Sequence, residues 1–279
     1  MDWLIDPFSL AFQQRALIGG ILAAIGLALV GTWVVIRGMS FLGDALVHGV
    51  VPGIALAILF DFSVLVGAAA AAVVMMLGIN LVHRQTTFSE DTSIGLLFVG
   101  MLGVGVILIS RTDAYTGNLT AILFGDALGV TGSDIVLLAV LLLITLVASA
   151  VMFRPFLALS FNEHKAALLG LRPRLAHAAL LALITLVIVG SFQTVGTLLV
   201  FGLLVGPPAT AALIVRRVPT MMAVAAIIGA LSVVIGLTIS YHADTSGSAT
   251  MAVTPIVIFF IVLTARSLRS RSKAALAAG

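Results

Sequence analysis

The chain has 279 residues, of which 61% are apolar and only 9% charged, and its mean hydropathy is +1.27. No soluble domain of this size could bury so much apolar surface, so the composition indicates a polytopic membrane protein. The net charge is +3 and cysteine is absent, which excludes disulfides and thiolate metal ligands and leaves oxygen and imidazole to hold any metal.

Apolar runs of the length needed to cross a bilayer predict nine membrane-spanning helices. They lie at about residues 16–36, 41–60, 62–82, 92–110, 133–153, 175–193, 196–215, 220–241 and 249–266. A count of eight would make one of these segments re-entrant. The fold class predicted from this pattern is all-α, a bundle of eight or nine spans that forms one transmembrane domain over residues 1–279.

The distribution of positive charge predicts the orientation of the chain. With the N-terminus outside and nine spans following, twelve of the fourteen basic residues fall on the cytoplasmic side, and only Arg15 and Arg111 fall outside. This asymmetry obeys the positive-inside rule and places the C-terminus in the cytoplasm. The same map puts seven aspartates outside, where they would concentrate cations or simply fill external loops.

The second predicted span contains Asp44 and His48, two ionisable groups in an otherwise apolar segment. Four residues apart, they share one face of a helix, so one cation could contact both. Pro52 cannot donate a hydrogen bond to the carbonyl of His48, which predicts a free backbone oxygen there, and Gly49 and Gly53 loosen the same turn. Ionisable groups at membrane depth usually mark a functional site. The stretch therefore predicts a cation-handling element, with a buried structural pair as the alternative.

The internal connection after the fifth span predicts a short helix on the cytoplasmic face. Ser160 and Glu163 have the spacing of a capping box, and Gly170 followed by Pro173 supplies a stop. The resulting helix covers about residues 160–170 and is suited to docking another subunit. An ordinary amphipathic connector at the membrane surface is the alternative.

Two further places in the chain are candidates for contact with a transported ion. Pro207 and Pro208 interrupt the seventh span, and we expect a helix break there that lines a pathway together with Pro52. His242 and Asp244 lie two residues apart in an external loop, where they form a weaker candidate metal site. For the second pair, a solvated loop is the favoured explanation.

Several function classes find no support in the chain. No phosphate-binding loop occurs, and neither of the two lysines, Lys165 and Lys273, follows a glycine pattern of that kind. Motifs of serine hydrolases and zinc proteases are also missing, as are nucleic-acid-binding motifs. We therefore expect a protein that is neither an enzyme nor an ATPase and that has no nucleic-acid partner.

The residues around the proposed cation site resemble a known family. Arg37-Gly-Met-Ser40 with Gly43-Asp44-Ala-Leu-Val-His48-Gly-Val-Val-Pro52-Gly53 is similar to the signature of the membrane permease subunits of zinc, manganese and iron ABC importers. Further matches follow in the same order at Glu90 to Phe98, Leu123 to Asp126, Ser160 to Gly170, Val195 to Ala211, and Gly236 to Tyr241. Six ordered matches are far more specific than one motif.

The resemblance implies a homodimeric permease with the fold of the cobalamin importers. Two cytoplasmic ATP-binding subunits would dock on the coupling helix, and an extracytoplasmic metal-binding protein would deliver the metal. Asp44 and His48 match the intramembrane metal positions of the family, and Ser160, Asn162, Glu163 and Gly170 fall in its coupling helix. Two residues depart from the pattern: Val47 stands where Ser is common, and Asn162 where Asp is frequent.

Together these observations predict the permease subunit of an ATP-driven importer, embedded in the lipid of a bacterial inner membrane. No permanently bound cofactor is implied, and the transported ion is a divalent transition metal, zinc or manganese, with a slight preference for zinc from the stability order. The alternatives are a secondary, proton-coupled transporter that uses Asp44 and His48 as a proton relay, and a membrane scaffold without transport.

Overall fold

The computed structural model describes residues 6–110, 128–161, 167–168 and 170–277. Within these ranges the regular elements are helices and no strand occurs. After a short 3₁₀ turn at Asp6–Ser9, the helices are α1 Ala11–Ile36, α2 Ser40–Gly49, α3 Val51–Leu59, α4 Val64–Gln85, α5 Glu90–Ile109, α6 Gly132–Val151, α7 Phe153–Phe161, α8 Pro173–Val195, α9 Thr197–Ile214, α10 Val218–Ala243 and α11 Gly247–Ala277.

Nine helical segments in the described part of the chain are long and apolar enough to cross a membrane. Each coincides with one of the predicted spans, and α2 with α3 together form the second span, Ser40–Leu59. The all-α class predicted from the sequence is therefore confirmed. The short helix α7 adds to the nine and lies at the end of the fifth span.

Helix α1 lies at the centre of the bundle, where it packs against α6, α8, α9 and α10. The helices α2 to α5 form a second group, which α8 joins to the first. Near the end of α1, the fully buried Trp33 packs edge-to-face against Phe153 and Phe156 of α7, with ring centroids 5.6 and 5.7 Å apart. Such aromatic pairs are specific in geometry, so they fix α7 beside the point where α1 gives way to α2.

Polar contacts show which helix ends share a side of the bundle. Arg37 donates to the carbonyl of Leu159 at 3.4 Å and to Nδ1 of His177 at 3.3 Å, which brings together the ends of α1 and α7 and the start of α8. Arg266 donates to the carbonyl of Leu213 at 2.6 Å, which joins the ends of α9 and α11. Both contacts link segments that the charge map places on one side. The orientation of that side toward the cytoplasm stays a prediction.

The proline pair does not break the seventh span, so this prediction was wrong. Helix α9 runs without interruption through Pro207 and Pro208. Pro208 leaves the carbonyl of Leu204 without its helical donor, and α1 packs closely there, because a Cβ on Gly31 would overlap that carbonyl oxygen. Tight packing by neighbouring helices is how membrane proteins tolerate proline inside a helix.

Candidate metal site and coupling segment

Asp44 and His48 lie on one face of α2, as the spacing predicts. Nε2 of His48 is 3.5 Å from Oδ1 of Asp44, and the two side chains are 31% and 35% exposed, respectively. The distance is too long for a strong charge-assisted hydrogen bond, and neither group is sealed inside the bundle. Carboxylate and imidazole therefore stand side by side and remain accessible, which suits a weak cation site better than a locked structural pair.

The backbone beside this pair changes direction at the turn that the sequence predicts to be loose. Helix α2 ends at Gly49, and the N–H of Val50 turns back toward the carbonyl of His48, only two residues before it. An approach across two residues is too bent for a normal hydrogen bond, so a free oxygen on His48 stays a prediction.

Four glycines fix the break between α2 and α3 against neighbouring helices. A methyl group on any of them would meet another chain segment too closely: Gly43 the side chain of Leu204 in α9, Gly49 the sulfur of Met75 in α4, Gly53 the carbonyl of Gly67 in α4, and Gly105 of α5 the side chain of Val51. Small residues let membrane helices approach closely. The break that carries the site is thus held on several sides by close packing of neighbouring helices.

Phe98 of α5 packs against the imidazole of the site. Its ring centroid lies 6.1 Å from that of His48 and 5.4 Å from that of Phe41, both in edge-to-face geometry. These contacts restrict the rotation of the His48 ring and help to hold its Nε2 near Asp44. The sequence did not predict this role for Phe98, because nothing in the local pattern indicates a contact between two different spans.

The site offers two protein ligands in one chain. Among the described residues, no group of three or more His, Cys, Asp or Glu side chains is close enough to hold a metal ion. Zinc takes about four ligands, so water, a backbone oxygen or groups from another polypeptide would have to complete the coordination shell. Incomplete coordination is consistent with a site that binds an ion only in transit.

The other pathway candidates occupy different surroundings. Pro52 is buried at the start of α3, next to Gly105 of α5. Pro207 and Pro208 are buried too, against Gly229 of α10 and Gly31 of α1. Packing within the bundle accounts for all three positions, and a role in lining a pathway stays a prediction.

His242 and Asp244 both lie exposed at the end of α10. Asp244 adopts a left-handed conformation with φ 50° and caps the helix, while the His242 ring packs edge-to-face on Tyr241 at 5.2 Å. The structure brings the two residues to the same turn. Their use as an external metal site stays a prediction.

The predicted capping box in residues 160–170, which we call the coupling segment, is wrong in one respect. Ser160 lies in the last turn of α7, and its hydroxyl donates to the carbonyl of Phe156 at 2.8 Å, so it does not cap a following helix. Helix α7 begins directly after Met152 and continues through Phe161, which leaves Ser160 inside a helix that the sequence pattern did not predict. Asn162 and Glu163 lie outside the described residues.

The end of the coupling segment agrees with the prediction. Gly170 has φ 71°, in the left-handed region that favours glycine, and its N–H donates to the carbonyl of Ala167 at 3.0 Å. Pro173 then starts α8. Phe161 and Leu168 are 76% and 88% exposed, so apolar side chains project from this end of the molecule.

Arg37 joins the coupling segment to the helix that carries the site. It follows α1, seven residues before Asp44, and it holds both the carbonyl of Leu159 in α7 and the ring of His177 in α8. His177 is buried at the start of α8, and Arg37 is a hydrogen-bond partner of its ring there. The partner was not predictable, because 140 residues separate the two side chains.

Comparison with known proteins gives consistent matches over most of the chain. The sequence profile of the ABC 3 transport family matches residues 9–266. The chain is 36% identical over 250 residues to the manganese transport system membrane protein MntC of Listeria innocua, covering 90% of this chain and 89% of that protein. It is 33% identical to a probable iron transport system membrane protein of Haemophilus influenzae, covering 97% and 99%.

A solved structure supports the same relationship. The structure described as PsaBC from Streptococcus pneumoniae in complex with Fab superimposes with a TM-score of 0.81 at 32% sequence identity, covering 93% of this chain and 94% of the matched chain. Sequence and fold thus agree over nearly the full length.

Proposed function

The chain belongs to the ABC 3 transport family, and from this we propose that it forms the translocation pathway of a divalent-metal importer. It is a multi-pass permease subunit of the bacterial inner membrane, and ATP hydrolysis resides on a separate subunit. The comparisons do not support the proton-coupled secondary transporter that the sequence left open.

The accessible pair Asp44 and His48 carries the proposal. A carboxylate and an imidazole on one face of a membrane helix can replace part of the hydration shell of a divalent ion. Their two-ligand set keeps binding weak enough for release. Because the pair is about one third exposed in the single chain, we propose that a second copy of the permease faces it across a central path.

Manganese is our first choice for the transported ion. The relatives reported above are named for manganese and iron, whereas the slight preference for zinc rested on the stability order alone. Oxygen and nitrogen ligands accept all three metals, so the local chemistry leaves the selection to the geometry of the complete site. An extracytoplasmic metal-binding protein would deliver the ion.

The cytoplasmic ATP-binding subunits would dock at the coupling segment. Phe161 and Leu168 present exposed apolar side chains there, and Arg37 ties the preceding helix α7 to the start of α2. A movement of the segment on ATP binding would therefore pull on the helix that carries Asp44. Such a mechanical link is what alternating access requires of a subunit that hydrolyses no ATP itself.

Reconstitution tests the proposal directly. In vesicles that contain the permease, its ATP-binding subunit and its metal-binding protein, manganese uptake should require ATP on the side of the ATP-binding subunit. The same vesicles with a proton gradient and no ATP serve as the control. Uptake driven by the gradient, or uptake by the permease alone, would refute the assignment.

A further inference from the structure

A cleft lined by three arginines lies where the end of α9 meets α11. It has a volume of about 550 Å³, and Arg216, Arg266 and Arg269 are among the residues that line it. We call it the basic cleft. None of the described residues that line it is acidic, so the three positive charges repel one another unless an anion joins them.

Arg266 is held in place within the basic cleft. It donates to the carbonyl of Leu213 at 2.6 Å, one of the last four carbonyls of α9, which have no partner inside the helix. This bond also places positive charge at the negative end of the helix dipole. Since a guanidinium has five N–H donors, most of the donors of Arg266 remain for another ligand.

The basic cleft lies at the predicted boundary between membrane and water. The membrane span of α11 runs from Gly247 to Arg269, so Arg266 and Arg269 occupy its last turn. Arg216 follows the end of α9, Thr197–Ile214. Planar guanidinium groups match phosphate oxygens in two-point hydrogen bonds. The chemistry and the position together favour a phosphate group at the level of the lipid headgroups.

An apolar groove continues from the basic cleft along α11. It has a volume of about 540 Å³ and shares Ala265 with the cleft; its other lining residues are Val257, Phe260, Ile261, Thr264 and Leu268. These positions recur at helical spacing and so lie on one face, and their large side chains are exposed. A free phosphate ion has no apolar part that could fill this groove, whereas the acyl chain of a lipid fits it.

We propose that the basic cleft binds an anionic phospholipid. The lipid phosphate pairs with Arg216, Arg266 and Arg269, and one acyl chain lies along the apolar face of α11. Basic pockets between transmembrane helices bind anionic headgroups in this manner. The inference is independent of the transported metal, because no residue of the metal site takes part in it.

Lipid titration of the purified protein tests the proposal. Binding of phosphatidylglycerol is measured by native mass spectrometry in neutral detergent for the wild type and for Arg216→Gln/Arg269→Gln. Arg266 is kept because it also bonds to α9. Each arginine near a headgroup contributes about a five-fold change in affinity, so we expect a loss of about thirty-fold. The matched control, Arg154→Gln/Arg174→Gln, removes two exposed charges outside the cleft and should bind like the wild type.

Four outcomes would overturn the proposal. In the first, the two double variants bind phosphatidylglycerol with equal affinity. In the second, the wild type binds phosphatidylcholine with the same acyl chains as tightly as it binds phosphatidylglycerol. In the third, inorganic phosphate at equal concentration displaces the lipid, which would make the cleft a site for the free ion. A loss of binding to the ATP-binding subunit with unchanged lipid affinity would also refute it, since the cleft would then be a subunit contact.

A second measurement needs no variant. Phosphatidylglycerol with a photoreactive group in its acyl chain is cross-linked to the wild type, and the labelled peptides are identified. We expect labels around Ala265, between Val257 and Leu268. Labels distributed evenly over the membrane surface would contradict a specific site.

Discussion

The crossing of α3 and α4 permits a quantitative prediction for Gly53→Ala. A Cβ on Gly53 would overlap the carbonyl oxygen of Gly67 and lie 2.7 Å from the Cβ of Ala71. Carbon atoms pack best at about 3.5 Å or more, so the two helices must separate by roughly 1 Å. Both contacts involve backbone or a Cβ, which no rotamer change can move away.

The expected loss of stability follows from this overlap. Overpacking of a tight core costs about 1–3 kcal/mol, and a rigid contact favours the upper end of that range. Replacing glycine by alanine in a helix returns up to about 1 kcal/mol. The free energy of unfolding should therefore fall by about 2 kcal/mol, measured by unfolding in mixed detergent and SDS with circular dichroism.

Two other glycines serve as graded controls for this experiment. Gly103 faces open space: among the described residues, no atom of a neighbouring helix would lie within 4 Å of a Cβ added there. Gly103→Ala should therefore leave stability unchanged or raise it slightly. Gly43 meets only the flexible side chains of Leu204 and Phe201, so Gly43→Ala should fall between the two. If Gly53→Ala unfolded like Gly103→Ala, the close backbone crossing would be refuted.

Three further substitutions test the site and its link to the coupling segment. Arg37→Gln removes the charged donor to Leu159 and His177. We expect the variant to transport less metal per ATP hydrolysed in vesicles. An unchanged ratio would contradict a mechanical link between the coupling segment and α2. Phe98→Leu removes an aromatic contact to the His48 ring worth about 0.5–1.5 kcal/mol, so metal affinity by calorimetry should fall about two- to ten-fold, and equal affinity would deny Phe98 this role. Gly170→Ala strains a backbone position with φ 71° by about 1–2 kcal/mol, which should weaken binding of the ATP-binding subunit; unaltered binding would argue against docking there.

Much of the fold was predictable because the thickness of the bilayer sets the number of apolar residues that a spanning helix needs. Nine apolar runs gave nine spans, and the turn that Gly49 and Gly53 were expected to loosen is where α2 ends and α3 begins. The proline pair in α9 misled the prediction, since a sequence cannot show that Gly31 of another helix packs against the carbonyl that Pro208 leaves free. Tertiary packing overrode the local preference of proline.

The site was predictable only in its local part. The spacing of Asp44 and His48 placed both on one face of α2, because helical periodicity is a property of neighbouring residues. The contact with Phe98 and the bonds of Arg37 join segments far apart in sequence, and no short pattern encodes them. Ser160 was misplaced for a related reason. It lies in α7, which begins only one residue after α6 ends, so the sequence shows no turn or cap that would mark the start of a separate helix.

The most direct test of the proposed pathway is the uptake of radioactive manganese by Asp44→Ala and His48→Ala permeases. Each variant is assembled in vesicles with the ATP-binding subunit and the metal-binding protein, and assembly is verified by co-purification. Because both side chains are partly exposed, we expect intact complexes whose ATP-dependent uptake is abolished. Intact complexes that transport manganese at the wild-type rate in both variants would show that the pair is not the metal site.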